Sequence, residues 1–332
     1  MDSKLGLGPM STEIIEAIFR YSHFHRKQLM MIPSTNQISH EGGYVNSWTT
    51  KQFMDFVKEL KVKYEFSDVK VCRDHCGPGF NGNFDLEDTY SNIRSDVENG
   101  FDLIHIDFAH FKGNMDERLE ASKKAVELCL SLNPSVSLEI GTDENLGVNV
   151  TTNELGNIEK EVDFFLQFCK PEFYVVQTGS LVKEMNQVGT YNAEFVERVA
   201  EALHAKGVKL KEHNADYLTN QEIEKRKGIV DAMNIAPQLG VIQTNLVITK
   251  CLQYGVDFSK YMDIVYNGRK WEKWLHTNEA SNKLLCCIVA GHYHFCTPEF
   301  KEIMEKLKES EDISEKIIES IMEVIEHYES RQ

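Results

Sequence analysis

An aspartate and a histidine stand side by side at residues 73–79, Arg-Asp-His-Cys-Gly-Pro-Gly, directly after a short apolar run. The imidazole of His75 could bind a metal ion, and the carboxylate of Asp74 could exchange a proton with a substrate. The Gly-Pro-Gly sequence allows a tight turn and the close approach of a ligand. An ordinary strand-to-loop turn, with Asp74 as a cap and His75 packed, is the alternative interpretation of these residues.

A second group of polar residues, Glu-His-Asn-Ala-Asp at 212–216, ends another apolar run. His213 is a candidate for a second imidazole ligand. Asn214 and Asp216 could hold substrate hydroxyls or orient that histidine. A structural hydrogen bond is the alternative role for His213.

Two further carboxylates end apolar runs. Glu139, in Leu-Glu-Ile-Gly-Thr, must be paired, metal-bound or solvated in a pocket, because burying a bare carboxylate is costly. The same argument applies to Asp107. His105 lies two residues earlier and could share the strand face of Asp107, whereas His110 lies past the strand end.

The remaining sequence motifs are weaker evidence for a functional site. The His-x-His sequence within 291–295 is more typical of structural packing than of metal binding. Lys183 and the Arg-Lys-Trp sequence at 269–271 are candidates for binding a phosphate, although cations of this kind are more often simply solvated at the surface. No GxGxxG follows a strand, and no P-loop or GxSxG is present, so dinucleotide, nucleotide and serine-hydrolase functions lack support.

The elements that must position these residues alternate between short apolar runs and amphipathic segments. Seven runs predict buried strands: 29–34, 69–74, 101–107, 136–141, 173–179, 208–213 and 229–237. Helical spacing fills most of the intervals: 49–60, 86–99, 115–132, 153–169 and 191–205. Alternation of this kind predicts a parallel sheet, with an indistinct eighth strand at 262–266.

The polar residues stand at the C-terminal ends of nearly every predicted strand. In a barrel these ends converge on one mouth, whereas a doubly wound open sheet, the alternative, would spread them along an edge. We therefore predict the α/β class and a (β/α)₈ TIM barrel with extra C-terminal helices at 298–310 and 313–329. The single domain of 1–332 would comprise an N-terminal helix (1–25), a barrel core (26–265) and a C-terminal helical segment (266–332).

The bulk composition excludes some partners. The chain has 332 residues, 42% of them hydrophobic, and a formal net charge of −16, which disfavours nucleic acid and anionic membranes as partners. The opening residues show no signal peptide, and no apolar stretch approaches the ~20 residues of a membrane span. Eight scattered cysteines without a CxxC pair indicate reduced thiols and a cytoplasmic protein.

Several motifs together resemble a known family. These motifs are Ser-Thr-Asn-Gln-Ile-Ser-His-Glu-Gly-Gly-Tyr at 34–44, Arg-Asp-His-Cys-Gly-Pro at 73–78, Val-Gln-Thr-Gly at 176–179, Glu-His-Asn-Ala-Asp-Tyr at 212–217 and Ala-Met-Asn-Ile-Ala-Pro at 232–237. They are similar to segments of the tagatose-bisphosphate aldolase Z-type ("non-catalytic") subunit family, and the stretch from Trp271 is a looser match. That family is related to the zinc-dependent class II aldolases and to ketose-phosphate 4-epimerases.

The resemblance implies a divalent metal, with Zn²⁺ as the expected ion, and a proton-transfer role for Asp74. It assigns His75 and His213 to the metal. The aldolase histidine after the fifth strand is absent, since Gln-Thr-Gly-Ser stands at 177–180, so Glu139 is predicted as the missing ligand and as a catalytic residue. The residues expected to position substrate hydroxyls are Asn36, Asp107, Gln177, Asn214, Asp216 and Asn234. Residues 214–217, Asn-Ala-Asp-Tyr, replace the aldolase phosphate loop, which puts a standard dihydroxyacetone-phosphate site in doubt.

The expected function is therefore retro-aldol and aldol chemistry on a ketose, with a phosphorylated ketose as the first choice, in a 4-epimerase or a class II-type aldolase. Two alternatives remain open: a non-catalytic stabilising subunit of a tagatose-bisphosphate aldolase, and an epimerase of unphosphorylated ketoses or sugar acids. The expected partners are a sugar or sugar phosphate and either further copies of the chain or an aldolase subunit.

Overall fold

A closed parallel barrel forms the centre of the protein. The computed structural model describes residues 1–142, 152–275 and 281–331. The strands are β1 (Leu5–Leu7), β2 (Gln28–Met31), β3 (Asp68–Cys76), β4 (Leu103–Ile106), β5 (Ser137–Gly141), β6 (Phe173–Val176), β7 (Val182–Lys183), β8 (Asn186–Gln187), β9 (Lys209–Glu212) and β10 (Ala232–Ile235). Eight of them close the barrel in the order β1-β10-β9-β6-β5-β4-β3-β2, and β7 and β8 form a separate antiparallel hairpin.

Helices surround the barrel. They are α1 (Thr12–His25), α2 (Thr50–Lys63), α3 (Leu86–Asn99), α4 (Met115–Leu132), α5 (Thr152–Phe165), α6 (Ala193–Ala205), α7 (Asn220–Glu224), α8 (Pro237–Tyr254), α9 (Ser259–Gly268), α10 (Lys283–Ala290), α11 (Pro298–Ser310) and α12 (Ser314–Glu329). Two 3₁₀ turns, Lys270–Lys273 and Gly291–His294, join the later helices. Within the described parts of the chain, none of these helices is long and apolar enough to cross a lipid bilayer.

The barrel prediction is confirmed, and each of the seven predicted runs overlaps a barrel strand. The eighth strand was predicted in the wrong place, since residues 262–266 lie within α9. The barrel is closed instead by Leu5–Leu7, whose Gly6 pairs with Met30 on one side and Asn234 on the other. Residues 1–25 are thus a strand followed by a helix capped by Ser11, not one helix. Three residues are too few to show an alternating pattern, so no strand could be predicted there.

The interior of the barrel changes from apolar to polar towards the C-terminal ends of its strands. Six buried apolar side chains form a cluster of their own inside the barrel: Met30, Ile32, Cys72, Leu103, Phe173 and Ala232. Strand alternation places His105 and Asn234 two residues further along the same inward faces. The larger core lies between the barrel and the helices. The strands therefore carry polar side chains above an apolar floor.

Candidate metal centre at the barrel mouth

Four side chains converge where the barrel opens. Asp74, His75, His105 and His213 each offer one potential ligand atom, and these atoms all lie within 4.8 Å of one another. β3 supplies Asp74 and His75, β4 supplies His105, and His213 follows β9. Because β3 and β9 stand opposite each other in the ring of eight strands, the cluster lies near the barrel axis.

A bulge in β3 lets two consecutive residues enter the cluster. Successive side chains of a regular strand point to opposite faces, so Asp74 and His75 could not both face the mouth. The β3–β4 register shifts between Arg73 and Cys76, and His75 has a left-handed backbone with a φ of 47°. An extra residue of this kind re-aims a side chain, which explains how both groups reach the same site.

Each of the three imidazoles has an acceptor beside the ring nitrogen that faces away from Asp74. His75 Nδ1 lies 2.7 Å from Asp107 Oδ2, and His105 Nε2 lies 2.9 Å from the Gly141 carbonyl oxygen. His213 Nε2 lies 3.2 Å from Glu139 Oε1. An acceptor in this position fixes the tautomer and ring orientation of a histidine and directs its other nitrogen at a metal.

Asp74 is surrounded by those inward nitrogens. Its Oδ2 lies 3.7 Å from His75 Nε2, and its Oδ1 lies 3.7 Å from His105 Nδ1 and 3.8 Å from His213 Nδ1. These separations exceed hydrogen-bond length, and Asp74 Oδ1 is buried without a hydrogen-bond partner. His105 Nδ1 also accepts the His75 backbone N–H at 3.3 Å. Three imidazole nitrogens around this carboxylate form a donor set that suits a divalent cation such as Zn²⁺.

The surroundings of Asp74, His75 and His213 shift the pKa values of these side chains in different directions. Burial raises the pKa of Asp74, but His75, His213 and His105 outweigh it and hold the value well below its usual range. Burial lowers the pKa of His75, yet Asp74 and Asp107 raise it to about 9. For His213 burial dominates, and its pKa is lowered. Asp74 is therefore ionised at neutral pH, and His75 carries a proton there as long as no metal ion displaces it.

The charge inside the mouth also fits a divalent ion. Three carboxylates (Asp74, Asp107 and Glu139) surround the imidazoles, and the Lys211 ammonium is the cation bound to one of them. Metal ligation requires neutral imidazoles, and in that state these four groups carry two net negative charges. Since uncompensated buried charge is costly, a cation of charge two would balance the site.

Glu139 does not join the group of four, although it was predicted as a ligand. Its Oε2 binds Lys211 Nζ at 2.6 Å, and its Oε1 faces His213. Burial raises the pKa of Glu139, but Lys211, His105 and His213 lower it to about 2. The third imidazole is that of His105, which the predicted ligand set omitted. The sequence carried a signal for it, because His105 precedes Asp107 by two residues and so shares its strand face.

Three of the predicted substrate-binding residues have structural partners. Asp107 accepts hydrogen bonds from Thr142 Oγ1 and the Ala109 N–H, in addition to its contact with His75. Asp216 Oδ1 accepts the backbone N–H groups of residues 236 and 238, where α8 begins. Asn36 Nδ2 donates to the carbonyl oxygen of residue 80, whose phenylalanine ring stacks on His75 at 4.8 Å.

Asn234 is different, because its buried amide has no hydrogen-bond partner on either polar atom. The β9–β10 register continues from Glu212 and Met233 to place it beside His213. A Cβ at Gly6 would lie 2.1 Å from Asn234 Oδ1, so only glycine leaves room for this amide. Of the remaining predicted residues, Gln177 follows β6, and Asn214 follows His213 with a φ of 54°.

The His-x-His motif and the candidate phosphate-binding cations of the sequence analysis are not part of the metal-binding cluster. His292 is fully buried, packs against Tyr293, and has its pKa lowered to about 3 by burial, as expected of a packed histidine. Lys183 Nζ donates to the carbonyl oxygen of Lys273, and Arg269 binds a neighbouring glutamate. These cations are thus held by contacts of their own.

Residues 9–134 match the family described as D-tagatose-1,6-bisphosphate aldolase subunit GatZ/KbaZ-like. The match covers the N-terminal part of the chain and shows what that part is similar to. The matched segment runs from before α1 to the end of α4 and contains Asp74, His75 and His105. The resemblance that the sequence motifs indicated is therefore confirmed.

Solved structures share the fold of this chain. A probable tagatose 6-phosphate kinase from Sinorhizobium meliloti has a TM-score of 0.80 at 17% identity, covering 99% of this chain and 100% of that one. The fructose-bisphosphate aldolase of Campylobacter jejuni has a TM-score of 0.58 at 11% identity, covering 96% and 91%. The YdjI aldolase of Escherichia coli has a TM-score of 0.54 at 14% identity, covering 92% and 90%. At these identities the similarity establishes the fold.

Proposed function

We propose that the protein is a metal-dependent enzyme that breaks and re-forms a carbon–carbon bond of a ketose by retro-aldol and aldol chemistry. The observation that carries the proposal is the convergence of three oriented imidazoles on Asp74 at the barrel mouth. Active sites of TIM barrels lie at this end of the strands. The GatZ/KbaZ-like match and the aldolases among the structural neighbours support a sugar substrate.

His75, His105 and His213 would hold the divalent ion, and Zn²⁺ is the expected ion because three imidazoles suit it. His105 takes the place that the sequence interpretation gave to Glu139. When bound, such an ion supplies Lewis-acid polarisation of a substrate carbonyl. The chain supplies the orientation of the ligands through Asp107, the Gly141 carbonyl and Glu139.

Asp74 would carry the proton transfer. It is ionised at neutral pH, as a proton acceptor must be, and lies at the centre of the cluster. It would accept the proton of the C4 hydroxyl as the C3–C4 bond breaks and return it as the bond re-forms. Asn234, whose amide offers both a donor and an acceptor, would hold substrate hydroxyls beside His213, together with Gln177 and Asn214.

Epimerase and aldolase activities begin with the same bond cleavage. A 4-epimerase retains the aldehyde fragment and adds it back on its other face, whereas an aldolase releases it. The family description names D-tagatose 1,6-bisphosphate, so we propose phosphorylated fructose and tagatose as the first substrates to test. Unphosphorylated ketoses and sugar acids complete the panel.

The test combines metal analysis with NMR of the sugar. We expect near-stoichiometric zinc in the wild type, and new signals of a C4 epimer or of three-carbon products from a ketose phosphate. Asp74→Asn should retain zinc but lose at least ~100-fold in turnover, because the proton acceptor is gone. Asp116→Asn, which changes an exposed carboxylate, is the matched control. Full activity of zinc-loaded Asp74→Asn would overturn the proposal.

A stabilising subunit is the second candidate, and the word "subunit" in the family description favours it. It predicts no turnover by the isolated chain and a complex with a class II aldolase chain. Co-purification and aldolase half-life, measured with wild type and Asp74→Asn, separate the two functions. Equal stabilisation by both proteins, without turnover by either protein alone, would establish the subunit role.

A further inference from the structure

A buried ion pair lies directly beneath the candidate metal centre. Lys211 and Glu139 are both 1% exposed, and Lys211 Nζ lies 2.6 Å from Glu139 Oε2. The other neighbours of the ammonium are Met30 Sδ at 3.9 Å and the Phe173 ring at 5.1 Å. A lysine is almost never fully buried without a partner, so Glu139 is what makes this position tenable.

The second oxygen of Glu139 already lies close to the cluster. Glu139 Oε1 is 3.2 Å from His213 Nε2 and 3.6 Å from His105 Nδ1, the nitrogen that faces Asp74. Two tetrahedral ligands about 2.1 Å from one zinc ion lie roughly 3.4 Å apart. Glu139 Oε1 and His105 Nδ1 thus have nearly the separation of two ligands on the same ion.

Carboxylates bind zinc readily, so a free Glu139 would be a competitor for a coordination position. The contact with Lys211 occupies Oε2 and draws the carboxylate towards the barrel floor, where Met30 and Phe173 lie. It leaves Oε1 to accept from His213. A catalytic zinc site needs a position that the substrate can occupy, whereas a structural site is closed by protein ligands.

We propose that Lys211 is a positioning residue that holds Glu139 out of the metal's coordination sphere and thereby keeps a position open for the ketose oxygen. This inference rests on the proposed function. It assigns Lys211 a task that neither the metal ligands nor Asp74 perform, and it explains why a lysine lies inside the barrel.

The decisive variant is Lys211→Met, which keeps most of the side-chain length and removes the charge. Glu139 is then free to coordinate, so the zinc dissociation constant, measured by chelator competition, should fall. The kcat/KM should drop about 10–100-fold, the range typical of changes around metal ligands. In the Co²⁺-substituted protein, the visible absorption spectrum should change as the Glu139 carboxylate takes the open position.

Glu139→Gln in the Lys211→Met background is the rescue. The amide cannot compete as a carboxylate does, but its oxygen can still accept from His213. We expect the double variant to recover the wild-type Co²⁺ spectrum and a kcat/KM within about tenfold of wild type. If Lys211→Met does not fold, the double variant, which has neither charge of the pair, tests the proposal by itself. A double variant that binds zinc but has lost turnover would overturn the proposal.

The experiments distinguish a failure of the role inferred for Lys211 from a failure of the proposed function. Weaker zinc binding together with weaker turnover in Lys211→Met, without rescue by Glu139→Gln, would show that Lys211 is merely structural and would overturn this inference. A wild-type protein that binds no zinc would overturn the proposed function itself, and with it the role of Lys211.

Discussion

Asp216 is a buried carboxylate in which only one of the two oxygens has hydrogen-bond partners. Its Oδ1 accepts two backbone N–H groups at the start of α8, while its Oδ2 is buried without a partner. Burial raises the pKa of Asp216 to about 7, although those N–H groups act in the opposite direction. The folded protein therefore keeps the proton of Asp216 at pH values where the unfolded chain has lost it.

This raised pKa predicts a pH-dependent stability. Between pH ~4 and ~7 the folded state binds the proton more tightly than the unfolded state, so Asp216 lowers the free energy of unfolding as pH rises. Asp216→Asn keeps an acceptor for α8 and removes the titration. Relative to wild type, its free energy of unfolding should increase by roughly 2–4 kcal/mol from pH ~4.5 to pH ~8. Urea unfolding at both pH values checks this.

The exposed control Asp116→Asn should show no such trend. An Asp216→Asn difference that stays constant with pH would contradict the raised pKa.

The sequence predicted those members of the site that end apolar runs. Asp74, His75 and His213 were predicted and lie together. His105 was noted for sharing the strand face of Asp107 but was not assigned to the metal. Glu139 was assigned to the metal because the aldolase histidine after the fifth strand is absent, but Glu139 binds Lys211, which comes from β9. A cross-barrel pairing of this kind leaves no local pattern.

A buried ion pair joins the elements that carry the site. Arg73 on β3 binds Asp96 on α3 through two nitrogens at 2.6 Å, and both side chains are fully buried. Arg73 also donates to the carbonyl oxygens of Pro33 and Ile38 in the loop after β2. The contacts thus fix the backbone immediately before Asp74.

Removing one partner of this pair should be severe. Arg73→Met leaves the Asp96 carboxylate buried without its counter-charge, and we expect a loss of about 3–5 kcal/mol in the free energy of unfolding. Arg20→Met, which breaks a more exposed pair with Glu315, should cost less than about 1 kcal/mol. Urea denaturation of both variants measures the difference. Equal losses would show that burial does not set the strength of the Arg73 pair.

Element type was predictable where a segment was long and periodic. The bounds of α3, α4 and α11 agree with the predicted 86–99, 115–132 and 298–310. The bulge in β3 was not predictable, since it depends on the register against β4. That bulge is what lets the side chains of Asp74 and His75 both face the barrel mouth. The sequence therefore identified the two residues as candidates for chemistry, but it could not predict that both would enter the same site.

Over the whole molecule, distant segments support the loop that follows His213. Tyr328 on α12 donates to the Ala215 carbonyl oxygen at 2.7 Å, and its hydroxyl accepts the Leu218 N–H at 3.2 Å. This tail was predicted to be helical. Its contact with the site was not, because nothing local in 313–329 indicates which loop the helix meets.

The proposed ligands also make a prediction about global stability. His75 and His213 come from opposite walls of the barrel, and His105 comes from a third strand. An ion held by all three would join strands that the unfolded chain separates widely, so zinc should bind the folded state preferentially. At a free zinc concentration about 1,000 times its dissociation constant, the gain is ~4 kcal/mol.

Thermal unfolding of the stripped protein should therefore shift upwards by several degrees when zinc is restored. His105→Ala removes one ligand from the barrel interior and should abolish most of that shift, whereas His204→Ala, which alters an exposed histidine paired with Asp231, should leave it intact. The same zinc-induced shift in both variants would place the ion elsewhere on the protein. A shift confined to proteins with an intact His105 would instead tie the stability of the whole barrel to the side chains proposed to do its chemistry.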